Sequence, residues 1–469
     1  MLIKFQNHII FIVFNILFFS FLTASGKNEK PNLVIILADD LGYADLGMHG
    51  SKQIPTPHID QLGKDGIIFS SGYVSSPVCS PSRAGLLTGK NQLSFGYNNN
   101  LGPNQTGFNP EYMGLPVNEK TLADKLKLLG YTTGLVGKWH LGVKPQFYPT
   151  NRGFDEFWGF LGGAHDYFIS KSGGVEMQCP IECNYKTPEP LTYITDDIGN
   201  ECADFIKRHK NEPFFLFASF NAPHSPMQAT EEDLKLFSHI KDELRRTYCA
   251  MVYRLDKNVG KITEALKNAG LEDNTFIVFL SDNGGPSVNP ISNGSVNAPF
   301  RGQKTTLLEG GIRVPYIFKW PSVLNAGKKI DDFVLSLDIC PTFIAAAGGS
   351  ISKEDNYKGV NLIPFITGQT NDVPHESMEW GYTVSTAIRE GDWKLIRLPD
   401  RLPMLFNLAE DISEQNDVAF QNLDRTKAML KRLGTWEIRL PHPVFLEPAD
   451  WRIRHLGFYD ADYQLVQSE

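Results

Sequence analysis

Cysteine is scarce in this chain: six residues among 469, at Cys79, Cys179, Cys183, Cys202, Cys249 and Cys340. So few and so scattered, they exclude a fold built on disulfides. Cys179 and Cys183 alone are spaced to bridge locally in an oxidising compartment. They would also make half of a metal knuckle, but no second Cys/His pair at suitable spacing completes one. Positive charge is in deficit as well. Lys and Arg number 45 against 53 Asp and Glu, a formal net charge of −8. That balance excludes long-range attraction to nucleic acid or any other polyanion as the binding mode. An anionic substrate must therefore be held by a local basic pocket. Internal repeats and low-complexity tracts are missing. A membrane-length apolar stretch is missing too: the run from Ile9 to Leu22, preceded by Lys4 and followed by Thr23-Ala24-Ser25-Gly26, is shorter than a comfortable span. It reads as an export signal over residues 1–26 rather than a stable anchor. With no cysteine at the cleavage region to carry a lipid, the expected location is secreted, in a bacterial periplasm. Asn104-Gln105-Thr106 and Asn293-Gly294-Ser295 match the glycosylation acceptor pattern, too little to suggest a glycosylated lysosomal protein.

What is present fits a globular protein, with 42% hydrophobic and 21% charged residues. The length suggests a large core plus a smaller appendage. Leu33-Val34-Ile35-Ile36-Leu37 is a continuous apolar run, the pattern of a strand buried on both faces of a parallel sheet. Similar runs recur at Thr133 to Val136, Phe214 to Phe217 and Phe276 to Leu280, with helical patterns over Thr121 to Leu129, Ile198 to Lys210 and Asp242 to Asn268. This alternation predicts an α/β fold with a mostly parallel central sheet flanked by helices, over residues 27–375. From about Glu376 the texture changes. Short strand patterns at Ser385 to Arg389, Trp393 to Ile396 and Leu405 to Leu408, then a helix near Arg425 to Leu433, predict a small antiparallel sheet with a covering helix. Residues 376–469 form this second part, and the tail from Pro441 is expected to be irregular.

Each buried run ends in polar residues. The first reaches Asp39-Asp40, the second Lys138-Trp139-His140, the third Pro223-His224, the fourth Asp282-Asn283. In an open parallel sheet all carboxyl ends lie on one edge, where ligands bind. Taken singly, Asp-Asp or Asp-Asn-Gly-Gly is ordinary turn or capping chemistry, and a lone histidine is a hydrogen-bonded loop residue. Four strand ends together gather three aspartates, an asparagine, two histidines and a lysine in one crevice. Three carboxylates and a carboxamide are a hard, all-oxygen ligand set, favouring Ca²⁺, with Mg²⁺ the alternative, over zinc.

The most specific string is Cys79-Ser80-Pro81-Ser82-Arg83-Ala84-Gly85-Leu86-Leu87-Thr88-Gly89. Pro81 suits a first helical turn, so Cys79 is expected at a helix N-terminus, where free N–H groups favour an anion. A bare cysteine there is more often a structural thiol. The whole string, however, resembles the signature of the formylglycine-dependent sulfatases of the alkaline phosphatase superfamily, in which Cys-x-Pro-Ser-Arg directs oxidation of the cysteine to an aldehyde. The resemblance runs from Pro31-Asn32 to about Asn416. It takes in Asp39-Asp40, Gly137 to Gly142, Pro223-His224, Asp282-Asn283, Arg301 to Lys304, Glu309 to Arg313, and the stretch from Ala387 to Leu408.

The resemblance implies a sulfuric ester hydrolase. Asp39, Asp40, Asp282, Asn283 and the modified Cys79 would hold the cation, which lowers the pKa of a hydroxyl on the hydrated aldehyde. Asp282 would help remove that proton. Arg83 would hold the nucleophile's surroundings. Lys138, His224 and Lys304 would grip sulfate oxygens, with His224 or Lys304 protonating the leaving oxygen. His140 would take the second hydroxyl's proton when sulfate is released. The implied partners are a sulfated carbohydrate and a formylglycine-generating (sulfatase-maturating) enzyme. Algal polysaccharides such as ulvan, galactan or fucan are the expected substrates. Gly162 to Tyr167, Arg301, and the aromatics Trp436, Trp451 and Tyr459 are candidate sugar contacts, though core packing is the commoner role of such aromatics. The rival readings are a phosphonate or phosphodiester hydrolase of the same superfamily, and an unmodified carbohydrate-binding relative.

Overall fold

The computed structural model describes residues 30–102, 110–168, 180–184, 186, 192–463 and 465. The expected export segment, Cys179 and Asn104 fall outside these. Cys183 carries a free thiol. No helix among the described residues is long and apolar enough to cross a membrane.

The core is a nine-stranded sheet of β1 (Asn32–Ala38), β2 (Ile67–Tyr73), β3 (Thr132–Lys138), β4 (Glu156–Phe160), β5 (Glu182–Cys183), β6 (Phe214–Ser219), β7 (Thr275–Ser281), β8 (Tyr316–Lys319) and β9 (Lys328–Leu335). Their spatial order is β5-β4-β3-β6-β1-β7-β8-β2-β9. Strands β4, β3, β6, β1 and β7 run parallel, β8 is antiparallel to both its neighbours, and β2 and β9 run parallel to each other. The carboxyl ends of β1, β2, β3, β6 and β7 therefore share one edge.

The continuous apolar runs are explained by burial on two faces. Leu33, Ile35 and Leu37 of β1 join one hydrophobic cluster with Phe215, Phe217, Val278 and Leu280. The intervening Val34, Ile36 and Ala38 join another with Leu216, Ala218, Ile277 and Phe279. The first face is covered by Cys79–Thr88, Leu122–Leu128 and Ile339–Ala346, the second by Pro57–Lys64, Ile194–Arg208 and Glu243–Asn268. Each such aliphatic side chain contributes roughly 1.5–3 kcal/mol by leaving water. Capping sets several helix starts. Thr121 and Asp124 form a capping box, and the Asp242 side chain accepts from the Arg245 amide at 2.7 Å. The expected helix at Ile198 begins four residues earlier, with Asp196 and Asp197 in its first turn favoured by the helix dipole.

A four-stranded antiparallel sheet follows: β10 (Ser377–Tyr382), β11 (Ser385–Glu390), β12 (Trp393–Arg397) and β13 (Met404–Asn407). Its residues alternate between faces as the strand period demands. Ala387, Ile396 and Phe406 pack on Tyr73, Val74 and Leu307 of the large part, whereas Ile388, Leu395 and Leu405 pack on Met429 and Leu433 of the helix Leu423–Glu437. The tail departs from expectation. It holds a helix at Ala449–Arg454 and a 3₁₀ segment at His455–Asp460, because Phe445, Phe458 and Tyr459 are buried and tie it down.

Candidate active site

Cys79 is the first residue of its helix, buried, with Sγ 3.5 Å from Asp39 Oδ1. Helix and carboxylate meet because β2 and β1 deliver their carboxyl ends to the same edge. Ligand atoms of Asp39, Asp40, Cys79 and His224 all lie within 4.8 Å of one another. Asp282 and Asn283 arrive from the end of β7. The Asp282 Oδ1 accepts from the Asp40 amide at 3.3 Å, and Asn283 Nδ2 donates to Asp40 Oδ1 at 2.7 Å. Asp40 itself has φ 65°, the turn that folds its side chain back into the cluster.

Four cations balance these carboxylates. Lys138 Nζ lies 2.6 Å from Asp39 Oδ2 and Lys304 Nζ 2.8 Å from Asp40 Oδ1. Arg83 donates from Nε to Asp282 Oδ2 at 2.9 Å and from NH1 to Ser219 Oγ at 2.6 Å. His224 Nδ1 is 2.6 Å from the Ser225 carbonyl oxygen, which can only accept, so this nitrogen carries a proton. Its Nε2 faces Asp40 Oδ2 at 3.6 Å. Lys138 and Arg83 are sealed, whereas His224 and Lys304 keep 14% and 12% of their side chains exposed, so the crevice opens on their side.

Charge coupling shows in the titration of these groups. Burial raises the Asp39 carboxyl despite Lys138. Burial would raise Asp40 too, but Lys304 and His224 hold it at about 2. Burial and the neighbouring Asp39 push Asp282 up to about 6. The Cys79 thiol is raised by burial but lowered further by Lys138 and Lys304, to about 7. Burial disfavours the His224 cation, yet Asp39 and Asp40 outweigh it and the pKa is raised. His140 goes the other way, held well below the usual imidazole value by burial and then Lys138. It is therefore neutral. Its Nε2 lies 2.9 Å from the Leu101 carbonyl oxygen and carries the proton, which leaves a lone pair on the buried, unpartnered Nδ1. The Ser80 hydroxyl donates to the His140 carbonyl at 2.7 Å, linking the residue after Cys79 to this histidine.

A divalent cation suits this donor set. Asn283 Oδ1 is buried with no hydrogen-bond partner, an oxygen ligand without a proton to accept. Asp39, Asp40 and Asp282 add hard carboxylates beside it. His224 also falls in the tight cluster, with its proton-bearing Nδ1 turned to the Ser225 carbonyl and its Nε2 facing Asp40 on the open side.

All ten site residues read from the sequence thus converge on one crevice. Several supporting residues escaped that reading. Ser219 takes the Arg83 bond and donates to the Lys138 carbonyl at 2.7 Å. Asn293 Nδ2 holds the carbonyls of Asp40 and Pro223 at 3.3 and 3.2 Å, and its burial makes the Asn-Gly-Ser pattern an accident. Ser219 sits at a strand end, the signal that exposed the others; Asn293 is in a loop and offered none. Four of the candidate sugar contacts have structural partners. Tyr167 is buried and its hydroxyl donates to the carbonyls of Asn221 and His224, fixing the His224 loop. Arg301 donates to the backbone carbonyls of Glu414 and Tyr459, and Tyr459 is buried, accepting from the Leu307 amide at 2.9 Å. Trp451 is half-buried and donates to the Tyr382 hydroxyl at 2.8 Å.

Carboxylates, lysines and a helix-capped cysteine on the carboxyl edge of a parallel sheet define a hydrolytic centre for an anionic ester. The Sulfatase family profile matches residues 31–350, and the profile "N-sulphoglucosamine sulphohydrolase, C-terminal" matches residues 302–435. The chain belongs to the sulfatase family, a sulfuric ester hydrolase of the alkaline phosphatase superfamily. It is 31% identical to N-acetylgalactosamine-6-sulfatase of Homo sapiens, over 87% of this chain and 85% of that one. Arylsulfatase J of Mus musculus is 34% identical over 91% of this chain and 79% of its own length. Among solved structures, Ps i-CgsB in complex with k-i-k-neocarrahexaose superposes with a TM-score of 0.83 at 38% identity, covering 92% of this chain and 98% of that one. Phosphonate monoester hydrolase of Agrobacterium radiobacter shares the fold, with a TM-score of 0.61 at 20% identity.

Proposed function

We propose that this sulfatase removes sulfate from a sulfated polysaccharide or its oligosaccharides through a formylglycine formed from Cys79, beside Ca²⁺ held by Asp39, Asp40, Asp282 and Asn283. The observation that carries the reading is the convergence of Cys79 with Asp39 and Asp40 at a helix start, ringed by lysines. The aldehyde hydrate and the cation supply a hydroxyl nucleophile of lowered pKa and Lewis acidity toward the sulfate oxygens. The chain's own residues do the rest. Asp282, beside the cation, is placed to accept the hydroxyl proton. Arg83 fixes that carboxylate. The buried Lys138 and the partly exposed Lys304 meet the sulfate oxygens. His224, on the open side, donates to the departing sugar oxygen. The neutral His140, with its free Nδ1 lone pair, takes the proton whose removal regenerates the aldehyde.

For the substrate, the likeness to Ps i-CgsB bound to a neocarrahexaose favours a carrageenan-type galactan among the algal polysaccharides. The similarity to N-acetylgalactosamine-6-sulfatases supports a galacto-configured sugar. Export to the periplasm, supported by the Ile9 to Leu22 run, brings enzyme and polymer together. Mass spectrometry of the Cys79 peptide from protein made with a maturating enzyme tests the core of this reading. The converted peptide should be about 18 Da lighter, and turnover of aryl sulfate should exceed that of phosphodiesters and phosphonates. An unmodified, still active Cys79, or faster phosphodiester turnover, sinks it.

A further inference from the structure

A groove of about 780 Å³ opens far from this chemistry, between the helix Leu423–Glu437 and the large part of the molecule. Asn91 lines it just beyond the C-terminus of the helix that begins with Cys79. Ten residues of helix separate the two ends, about 15 Å at the α-helical rise. One face of the helix Leu423–Glu437 supplies most of the wall, because Ala428, Lys431, Arg432, Thr435 and Trp436 follow the i, i+3, i+4, i+7 spacing, and Arg439 continues it just past the helix end. The neighbouring face, with Met429 and Leu433, is spent on the small sheet.

The groove's charge is opposite to that of the molecule. Lys358, Lys431, Arg432 and Arg439 line it against one carboxylate, Glu379, in a chain of net charge −8. Two of the cations are occupied: Lys358 pairs with Glu379 at 3.2 Å, and Arg432 with Glu390. Lys431 and Arg439 are exposed and make no ion pair among the described residues. Ion pairing to the small sheet accounts for the first two cations and leaves the second two unexplained. Trp436 and Tyr357, each packed in part on an apolar cluster, also add half-buried rings to the same walls. Unpaired cations beside aromatic faces are what a sulfated sugar chain requires: half-esters meet the cations, and pyranose C–H faces lie on the rings.

We propose that this groove is a second binding site for a sulfated glycan chain, separate from the reaction centre, which retains the polymer on the enzyme between turnovers. The proposal rests on the reading that the substrate is a sulfated carbohydrate. Retention works by effective concentration: a chain held at a remote point presents its other residues to the crevice repeatedly.

The test uses the full chain. Lys431→Glu/Arg439→Glu and Trp436→Ala are made in the Cys79→Ala protein for binding and in the matured enzyme for kinetics. Native electrophoresis through gels containing ι-carrageenan, chondroitin sulfate or neutral dextran reads binding. The Cys79→Ala parent should be retarded by at least one sulfated polymer and not by dextran. The double variant should bind about tenfold more weakly, as expected for two reversed surface charges. In the matured enzyme the double variant should raise KM for the polymer by a similar factor and leave aryl sulfate turnover unchanged. A parent that neither sulfated polymer retards, a double variant retarded like the parent, or equal loss on aryl sulfate and polymer overturns the proposal. Should no sulfate ester be turned over while the double variant still loses retardation, the catalytic reading fails and the groove stands.

Discussion

Glu447 shows how far one residue can load the fold. It is a buried residue of the C-terminal tail, and its Oε1 accepts from the Asn100 amide at 2.9 Å and the Tyr382 hydroxyl at 2.8 Å. Burial dominates those bonds and pushes its pKa from 4.5 up to about 7. The folded state therefore holds this proton more tightly than the unfolded chain does. Its stabilising contribution is present below the unfolded value and is lost as pH rises through the folded one. Glu447→Gln keeps an acceptor oxygen and removes the titration. Urea unfolding at pH 5 and pH 8 should show the wild type losing, relative to the variant, on the order of 2 kcal/mol across that interval. Parallel pH profiles for the two proteins would remove Glu447 as a source of alkaline lability. Nothing in the sequence around Pro448 announced this carboxyl. Its shift comes from burial against residues distant in the chain, Tyr382 and Asn100 being 65 and 347 positions away, and such distant packing leaves no local pattern.

Elements were legible where burial was uniform. Strands β1, β3, β6 and β7 lie in the middle of the sheet, covered on both faces; β1, β6 and β7 read as nearly unbroken apolar runs, and β3 as a shorter one around Leu135-Val136. The others were not. Residues Lys328, Lys329, Asp331 and Asp332 give β9 an exposed, charged beginning suited to an edge, where charge discourages pairing with another chain. Gly72 and two serines in β2 dilute its apolar signal. The short β4, β5 and β8 carry too few residues for any period to show. The same physics made the site readable. Polar residues after a buried strand must turn at the sheet edge, and parallel strands share that edge.

Gly137 tests this dependence. It lies in β3 opposite Ser219 with φ 113°, and a Cβ there would come within 1.9 Å of the Ser219 carbonyl oxygen. The neighbour is backbone and cannot rotate away. Gly137→Ala should therefore part β3 from β6 at the point where Lys138 and Ser219 enter the site. A loss of about 3 kcal/mol or more in thermal or urea unfolding, with sulfatase turnover falling further than stability alone explains, is the expected result. A variant as stable and active as the parent would show that the pairing tolerates displacement.

At the scale of the whole molecule, the two sheets are joined by buried charge as well as by apolar packing. Lys394 of β12 reaches Glu309 at 2.8 Å and Glu414 at 2.9 Å, with all three side chains fully buried. Arg313 adds a contact to Glu309 at 3.2 Å, and the Tyr73 hydroxyl donates to the same carboxylate. Burial would raise Glu309, but Lys394 and Arg313 hold it at about 2; burial leaves Glu414 at about 7, with Glu309 opposing the relief from Lys394. One lysine thus bridges two carboxylates at a boundary between parts that each have their own cluster of apolar residues. Replacing a buried ion pair as a unit costs little, whereas removing one partner strands the other. Lys394→Ala should cost about 3–5 kcal/mol, and the loss should not be uniform. Amide hydrogen exchange should quicken across Ser385–Glu390 and Trp393–Arg397 well before it changes in Asn32–Ala38. Were both sheets to lose protection together, the junction would be part of one cooperative unit and the small sheet could not open by itself.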